Sequence, residues 1–146
     1  MPVGEWWARF YRENIMEHSK LVNKPFVSGN FADGFFLLPP PVLEITLVDG
    51  LWTKINKQTG LLFDLAEEEE ITPDASGIIV YEIKEIVNFY KKQSPYISRI
   101  LGWEEKKNGK NIIGTMNSEQ LVMWLLKLAS FLESEALKQN IVCAIF

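Results

Sequence analysis

Carboxylates are the most concentrated chemical resource of this chain. Nineteen Asp and Glu stand against fifteen Lys and Arg, for a net charge of −4, and Glu67, Glu68, Glu69 and Glu70 form one unbroken run. Paired carboxylates can act as general acid and base, and clustered ones can hold a hard cation, but each chemistry needs side chains that converge. A consecutive run encodes no such convergence, and it lacks the alternating ligands and turn glycine of a calcium loop. It does supply a concentrated negative field, which steers a basic partner and discourages nucleic acid at the same face. Asp64 and Asp74 flank the run, so Asp64, Glu67, Glu68, Glu69, Glu70 and Asp74 are the candidate partner-binding residues. A run that merely solvates the surface is the plainer alternative.

Other chemistry is poorly provided for. His18 is the single histidine and Cys143 the single cysteine, which disfavours a multi-histidine metal site and a disulfide framework. Cys143 sits in the apolar stretch Ile141, Val142, Cys143, Ala144, where burial raises a thiol pKa and suppresses the nucleophilic thiolate. Gly102 and Gly109 are separated by six residues where a phosphate-binding P-loop needs four, and Asn111 replaces its hydroxyl ligand. No dinucleotide, zinc-protease, EF-hand or nucleophile-elbow motif is present, and no cofactor or metal is expected.

The charge is unevenly laid along the chain. Residues 41–80 hold two lysines against eight carboxylates, a balance of −6, whereas residues 81–117 hold seven basic residues against four glutamates, a balance of +3. The basic stretch (Lys84, Lys91, Lys92, Arg99, Lys106, Lys107 and Lys110) belongs to no nucleic-acid module, so no nucleic-acid partner is expected. Charged residues interrupt the first sixteen positions, and the longest early uncharged stretch, residues 34–43, is far below the roughly 18 residues of a membrane span. The expectation is a cytoplasmic protein with no membrane partner, its one cysteine reduced.

These residues need a scaffold. A length of 146 with 47% hydrophobic residues predicts a single α+β domain over residues 1–146, and five Trp, four Tyr and nine Phe supply a large core. Apolar positions over residues 4–21 predict an N-terminal helix, with Trp6, Phe10 and Met16 beside Trp7, Tyr11 and Ile15. Phe35 to Leu38 predict a short strand, closed by three prolines that suit a rigid connector. Alternation over residues 42–65, with turns at Asp49-Gly50 and Asn56 to Gly60, predicts a three-stranded meander, and the glutamate run follows as a loop. Thr72-Pro73-Asp74, or Ser76 further on, opens a central helix through Lys92. Tyr96 to Trp103 and Asn111 to Thr115 predict a hairpin. Asn117 or Ser118 caps a long helix that exposes Leu121, Leu125, Leu128 and Leu132 to one side, and Ile141 to Phe146 predict a terminal strand inserted in a mainly antiparallel sheet.

The acidic run, together with a capped amphipathic helix leading into a terminal strand from Asn117 to Phe146, resembles bacterial toxin-immunity proteins in outline. That resemblance implies a small noncatalytic domain that binds and neutralises a cognate toxin, here with a basic binding face, and it carries no site residues across. Length, low pI and element order also resemble secretion chaperones, which exposure of Trp6, Trp7, Phe35 or Phe36 would favour. A small carboxylate-based enzyme or ligand-binding domain is the third reading, and it requires a deep cavity lined by Tyr and Trp with a convergent glutamate pair.

Overall fold

The computed structural model describes residues 7–13, 34–63, 68–93, 95–104 and 110–146, with side chains described outside 102–104 and 110–112. Its elements in chain order are β1 (Ala8–Arg12), β2 (Phe35–Leu38), α1 (Pro40–Val48), α2 (Leu51–Thr59), β3 (Glu68–Ile71), α3 (Pro73–Lys91), β4 (Tyr96–Glu104), β5 (Lys110–Asn117), α4 (Ser118–Leu137) and β6 (Val142–Ile145). The four-stranded sheet runs β2-β1-β6-β3 and every pair in it is antiparallel, so the fold is α+β, as the sequence predicts. β4 and β5 form a separate two-stranded antiparallel ribbon.

The period-two rule sorts the sheet into two faces. Ala8, Phe10, Phe36, Leu38, Ile71, Val142 and Ala144 point into the main core, where Trp52, Phe63 and Phe146 meet Phe10 in a cluster of rings. The opposite face carries two cross-strand rows: Leu37, Arg9, Ile145 and Glu68 in one, Phe35, Tyr11, Cys143 and Glu70 in the other. Tyr11, Phe35 and Cys143 are buried there as a second, smaller apolar cluster.

The two long helices follow their caps. Thr72 rather than Ser76 caps α3, its hydroxyl accepting from the Ala75 amide, and Pro73 occupies the first turn where its missing N–H costs nothing. Asn117 caps α4 by accepting from the Glu119 and Gln120 amides. Leu121, Leu125, Leu128 and Leu132 are fully buried along α4, which packs against α3. The terminal strand is inserted between β1 and β3 as predicted.

Three predicted elements are corrected. Residues 8–12 of the expected N-terminal helix form strand β1, because Ala8 and Phe10 alternate with Arg9 and Tyr11 between two partner strands, and that period outweighs the helical one. The rest of that expected helix lies outside the described residues apart from Trp7 and Glu13. The predicted meander is the helix pair α1 and α2. Pro40, Val42, Leu43, Ile45 and Thr46 are buried, while the solvent side of α1 carries the apolar Pro41 and Val48 beside Glu44, so the sequence shows no polar stripe. Its apolar alternation therefore imitates a strand. The proline triplet is the start of α1, with Pro39 at the cap and Pro40 pre-set for the first turn. Gly50, at φ +84°, does not turn a hairpin but joins α1 to α2. Finally, the glutamate run is not a loop: Glu68 to Ile71 are drawn into β3 by pairing with β6, which overrides their weak strand preference.

Candidate functional site

β3 occupies one end of the sheet order and, among the described residues, pairs only with β6. Its free side is a row of backbone donors and acceptors, and edge strands of this kind either accept another chain or are blunted by charge. Three predicted site residues lie here and behave differently. Glu68 is exposed on the outer face, yet its Oε1 accepts from the Tyr11 hydroxyl at 2.6 Å. Glu69 is half-buried on the inner face, and its Oε1 accepts from the Leu62 amide at 3.1 Å. Glu70 is exposed and makes no hydrogen bond or ion pair with a described residue. Asp74 is exposed in the first turn of α3, where a negative side chain complements the helix dipole. Asp64 and Glu67 lie outside the described residues.

The acidic edge acts on the groups behind it. Burial raises the Tyr11 phenol above its ordinary pKa, and the hydrogen bond to Glu68 adds to the effect. The Cys143 thiol is pushed up to about 11, first by burial and then by the charges of Glu68 and Glu70. Cys143 is thus a protonated, buried thiol at neutral pH. His18, the partner a dyad would require, lies outside the described residues.

A second group of carboxylates escaped the sequence reading. Asp49, at the end of α1, accepts from Tyr90 Oη and from Arg99 Nε, each at 2.7 Å, and so ties α1 to α3 and β4. Burial, followed by this contact with Asp49, raises the Tyr90 phenol as well. Glu135 in α4 is 2% exposed and takes the Arg12 guanidinium in a two-pronged grip of 2.7 and 2.9 Å. Gly34, at φ +79°, accommodates that arginine, since a Cβ there would sit 3.1 Å from Arg12 Cζ. Glu82 in α3 is 3% exposed and accepts from Gln58 Nε2 and Lys54 Nζ, both at 3.1 Å. The Lys54 ammonium is raised above its ordinary pKa by that contact first.

These pairings redraw the charge map. Lys54 belongs to the acidic stretch and Glu82 to the basic one, yet they neutralise each other across α2 and α3. Arg99 is likewise bound to Asp49, and Lys84 reaches Glu133 of α4 at 3.0 Å. Charge summed along the sequence therefore overstates the contrast between the two stretches, and at β3 Glu68 and Glu70 keep their charge on the surface.

Two grooves are present among the described residues. One, of about 520 Å³, lies at the start of α4 beside Lys91, Asn117 and Glu119, where the helix amides are already capped by Asn117. The other, of about 320 Å³, lies between α2 and α3 beside Lys54, Glu82 and Glu85. Neither is lined by Tyr or Trp. Phe35 and Phe36 are buried and Trp7 is half-buried, while Trp6 lies outside the described residues. No group of three His, Cys, Asp or Glu side chains among the described residues is placed to hold a metal ion, and no described helix is long and apolar enough to cross a membrane. Comparisons with protein-family models, with curated proteins and with solved structures returned no match to this chain.

Proposed function

We propose that this chain is a noncatalytic protein-binding domain of the bacterial immunity type, which neutralises a basic toxin domain in the cytoplasm by offering it the acidic edge of its sheet. One observation carries the reading: β3, which among the described residues is paired on one side only, bears Glu68, Glu69 and Glu70 in succession. Two copies of such an edge repel each other, so the charge guards against self-pairing while it attracts a basic surface. Glu70 and Asp74 have carboxylates exposed at that edge, and Glu68 adds charge while staying anchored to Tyr11. Phe35 and Phe36 are buried, so neither contributes to an apolar patch of the kind a secretion chaperone would use.

The test is binding to the purified product of the adjacent gene, measured for the unaltered chain and for a Glu70→Gln, Asp74→Asn double variant. The variant is expected to bind about tenfold more weakly at low salt, and the difference should shrink at roughly 0.5 M salt, where the screening length is only a few ångströms. Equal affinity for the two proteins at both salt concentrations removes the acidic edge from the mechanism.

A further inference from the structure

The groove between α2 and α3 combines an apolar floor with an acidic rim. Leu51, Ile86 and Phe89 supply the floor, and Phe89 is 49% exposed beside the buried Tyr90. Glu82 and Glu85 stand on the α3 side and Lys54 on the α2 side. Glu82 is already engaged by Lys54 and Gln58, but Glu85 is exposed and makes no hydrogen bond or ion pair with a described residue. The groove thus holds one ammonium from the chain itself and keeps a further carboxylate beside an exposed aromatic ring.

That combination selects its occupant. A guanidinium is planar, weakly hydrated and forked, so it stacks on an aromatic face while pairing with a carboxylate at its edge. A volume of about 320 Å³ lies at the small end of the range for ligand sites, roughly 300–1,000 Å³, and suits one long side chain better than a whole metabolite. Asp49 is paired with Arg99 and Glu82 with Lys54, which leaves the Glu85 carboxylate as the surplus charge of the lining, so the charge complement is a cation.

We propose that this groove receives an arginine side chain of the protein partner, stacked on Phe89 and paired with Glu85. The inference rests on the protein-binding reading, but it uses none of the residues of the β3 edge. The two places are joined along the protein surface: the α2 helix ends close to β3, where the Leu62 amide meets Glu69, and begins at the groove. Along α3, Asp74 and Glu85 are separated by about 17 Å at the helical rise, which an extended segment of about five residues spans. A basic segment seated on the edge can therefore reach the groove without a bend in the protein.

The experiment is an NMR titration of the full chain at low salt with N-acetyl-arginine amide, and with N-acetyl-citrulline amide as the uncharged isostere. The arginine compound is expected to shift the Gly50, Lys54, Ile86 and Phe89 amides saturably, with an affinity on the order of millimolar, as befits a single side-chain contact. Citrulline should leave them in place. Glu85→Gln, at an exposed position that leaves the core intact, should weaken the arginine effect at least threefold, and Phe89→Ala should do the same. Absence of a saturable shift, equal shifts with citrulline, or shifts confined to the β3 amides would each overturn the inference. Because no partner protein enters this titration, its result is separate from the salt-dependence test of the edge: a failure there with a positive titration discards the edge alone.

Discussion

The glutamates of β3 and the carboxylates between the helices are the same chemical groups in opposite circumstances. At the edge strand, the Glu70 side chain faces water with no hydrogen bond or ion pair to a described residue, whereas Glu135 lies 2% exposed with a guanidinium gripped at two atoms. Removing the first deletes a charge from a surface; removing the second takes two hydrogen bonds away from a partly buried guanidinium. The contrast separates carboxylates that hold the molecule together from those left over for something else. Asp49, which binds Tyr90 and Arg99, belongs with Glu135, while Glu68 and Glu69 are intermediate because each accepts one hydrogen bond.

The largest expected effect is at Glu135. Glu135→Ala should destabilise the chain by about 3 kcal/mol in urea unfolding, the low end for breaking a buried ion pair, since Arg12 is partly open to solvent. The second prong of the comparison is that Arg12→Met in the same background should recover much of the loss, because position 12 then no longer carries a charge toward the place the carboxylate has left. A loss below about 1 kcal/mol for Glu135→Ala would erase the difference between the two kinds of carboxylate.

How much of this was readable beforehand depended on whether a local signal stood alone. α3 and α4 were legible because Thr72-Pro73 and Asn117 mark their starts and their buried residues recur at helical spacing. β6 was legible because an unbroken apolar run fits a strand buried on both faces. α1 was not, since its exposed positions include the apolar Pro41 and Val48 and so leave no polar stripe to distinguish it from a strand. β3 could not be seen either, because three consecutive glutamates have little strand preference and only the pairing with β6 places them. The same reasoning applies to the sites. Glu68 to Glu70 announced themselves by adjacency, but Glu82 and Glu85 acquire meaning only when Lys54, some thirty residues earlier, comes to lie against them. A capped helix carrying Glu82 and Glu85 three positions apart was the available signal, and it fits an ordinary surface equally well.

An intermediate effect is expected at Cys143, which lies in the same cross-strand row as Glu70 and reports the field of the edge. With its thiol pushed up from 9.0 to about 11, the thiolate fraction at pH 8 is about 100-fold smaller than for an unshifted thiol. Reaction with a disulfide reagent should be slower by at least that factor in the folded chain than in urea. A raised acid pKa favours the folded state below the unfolded value, so the contribution of Cys143 to stability is complete below pH 9 and is lost as pH rises through about 11. Glu68→Gln with Glu70→Gln should move the thiol back toward 9 without restoring it, because burial is the leading cause. An unchanged thiol in that variant would show that the edge charges do not reach the second cluster.

The smallest expected effect on stability is at the edge itself. Glu70→Gln and Asp74→Asn should together change unfolding free energy by about 0.5 kcal/mol or less, since neither carboxylate has a described partner and surface substitutions of this kind are near neutral. Asp74→Asn loses a little of the favourable interaction with the α3 dipole, so the sign should be a slight destabilisation. This near-neutrality gives the functional comparison its force. A variant that folds as well as the unaltered chain but loses about tenfold in partner affinity at low salt has lost only the charge offered at the edge. If unfolding shows a loss of 2 kcal/mol or more, about the scale of a broken cap or buried contact, then these carboxylates are structural and belong with Glu135. The two regions would then differ in exposure but not in role.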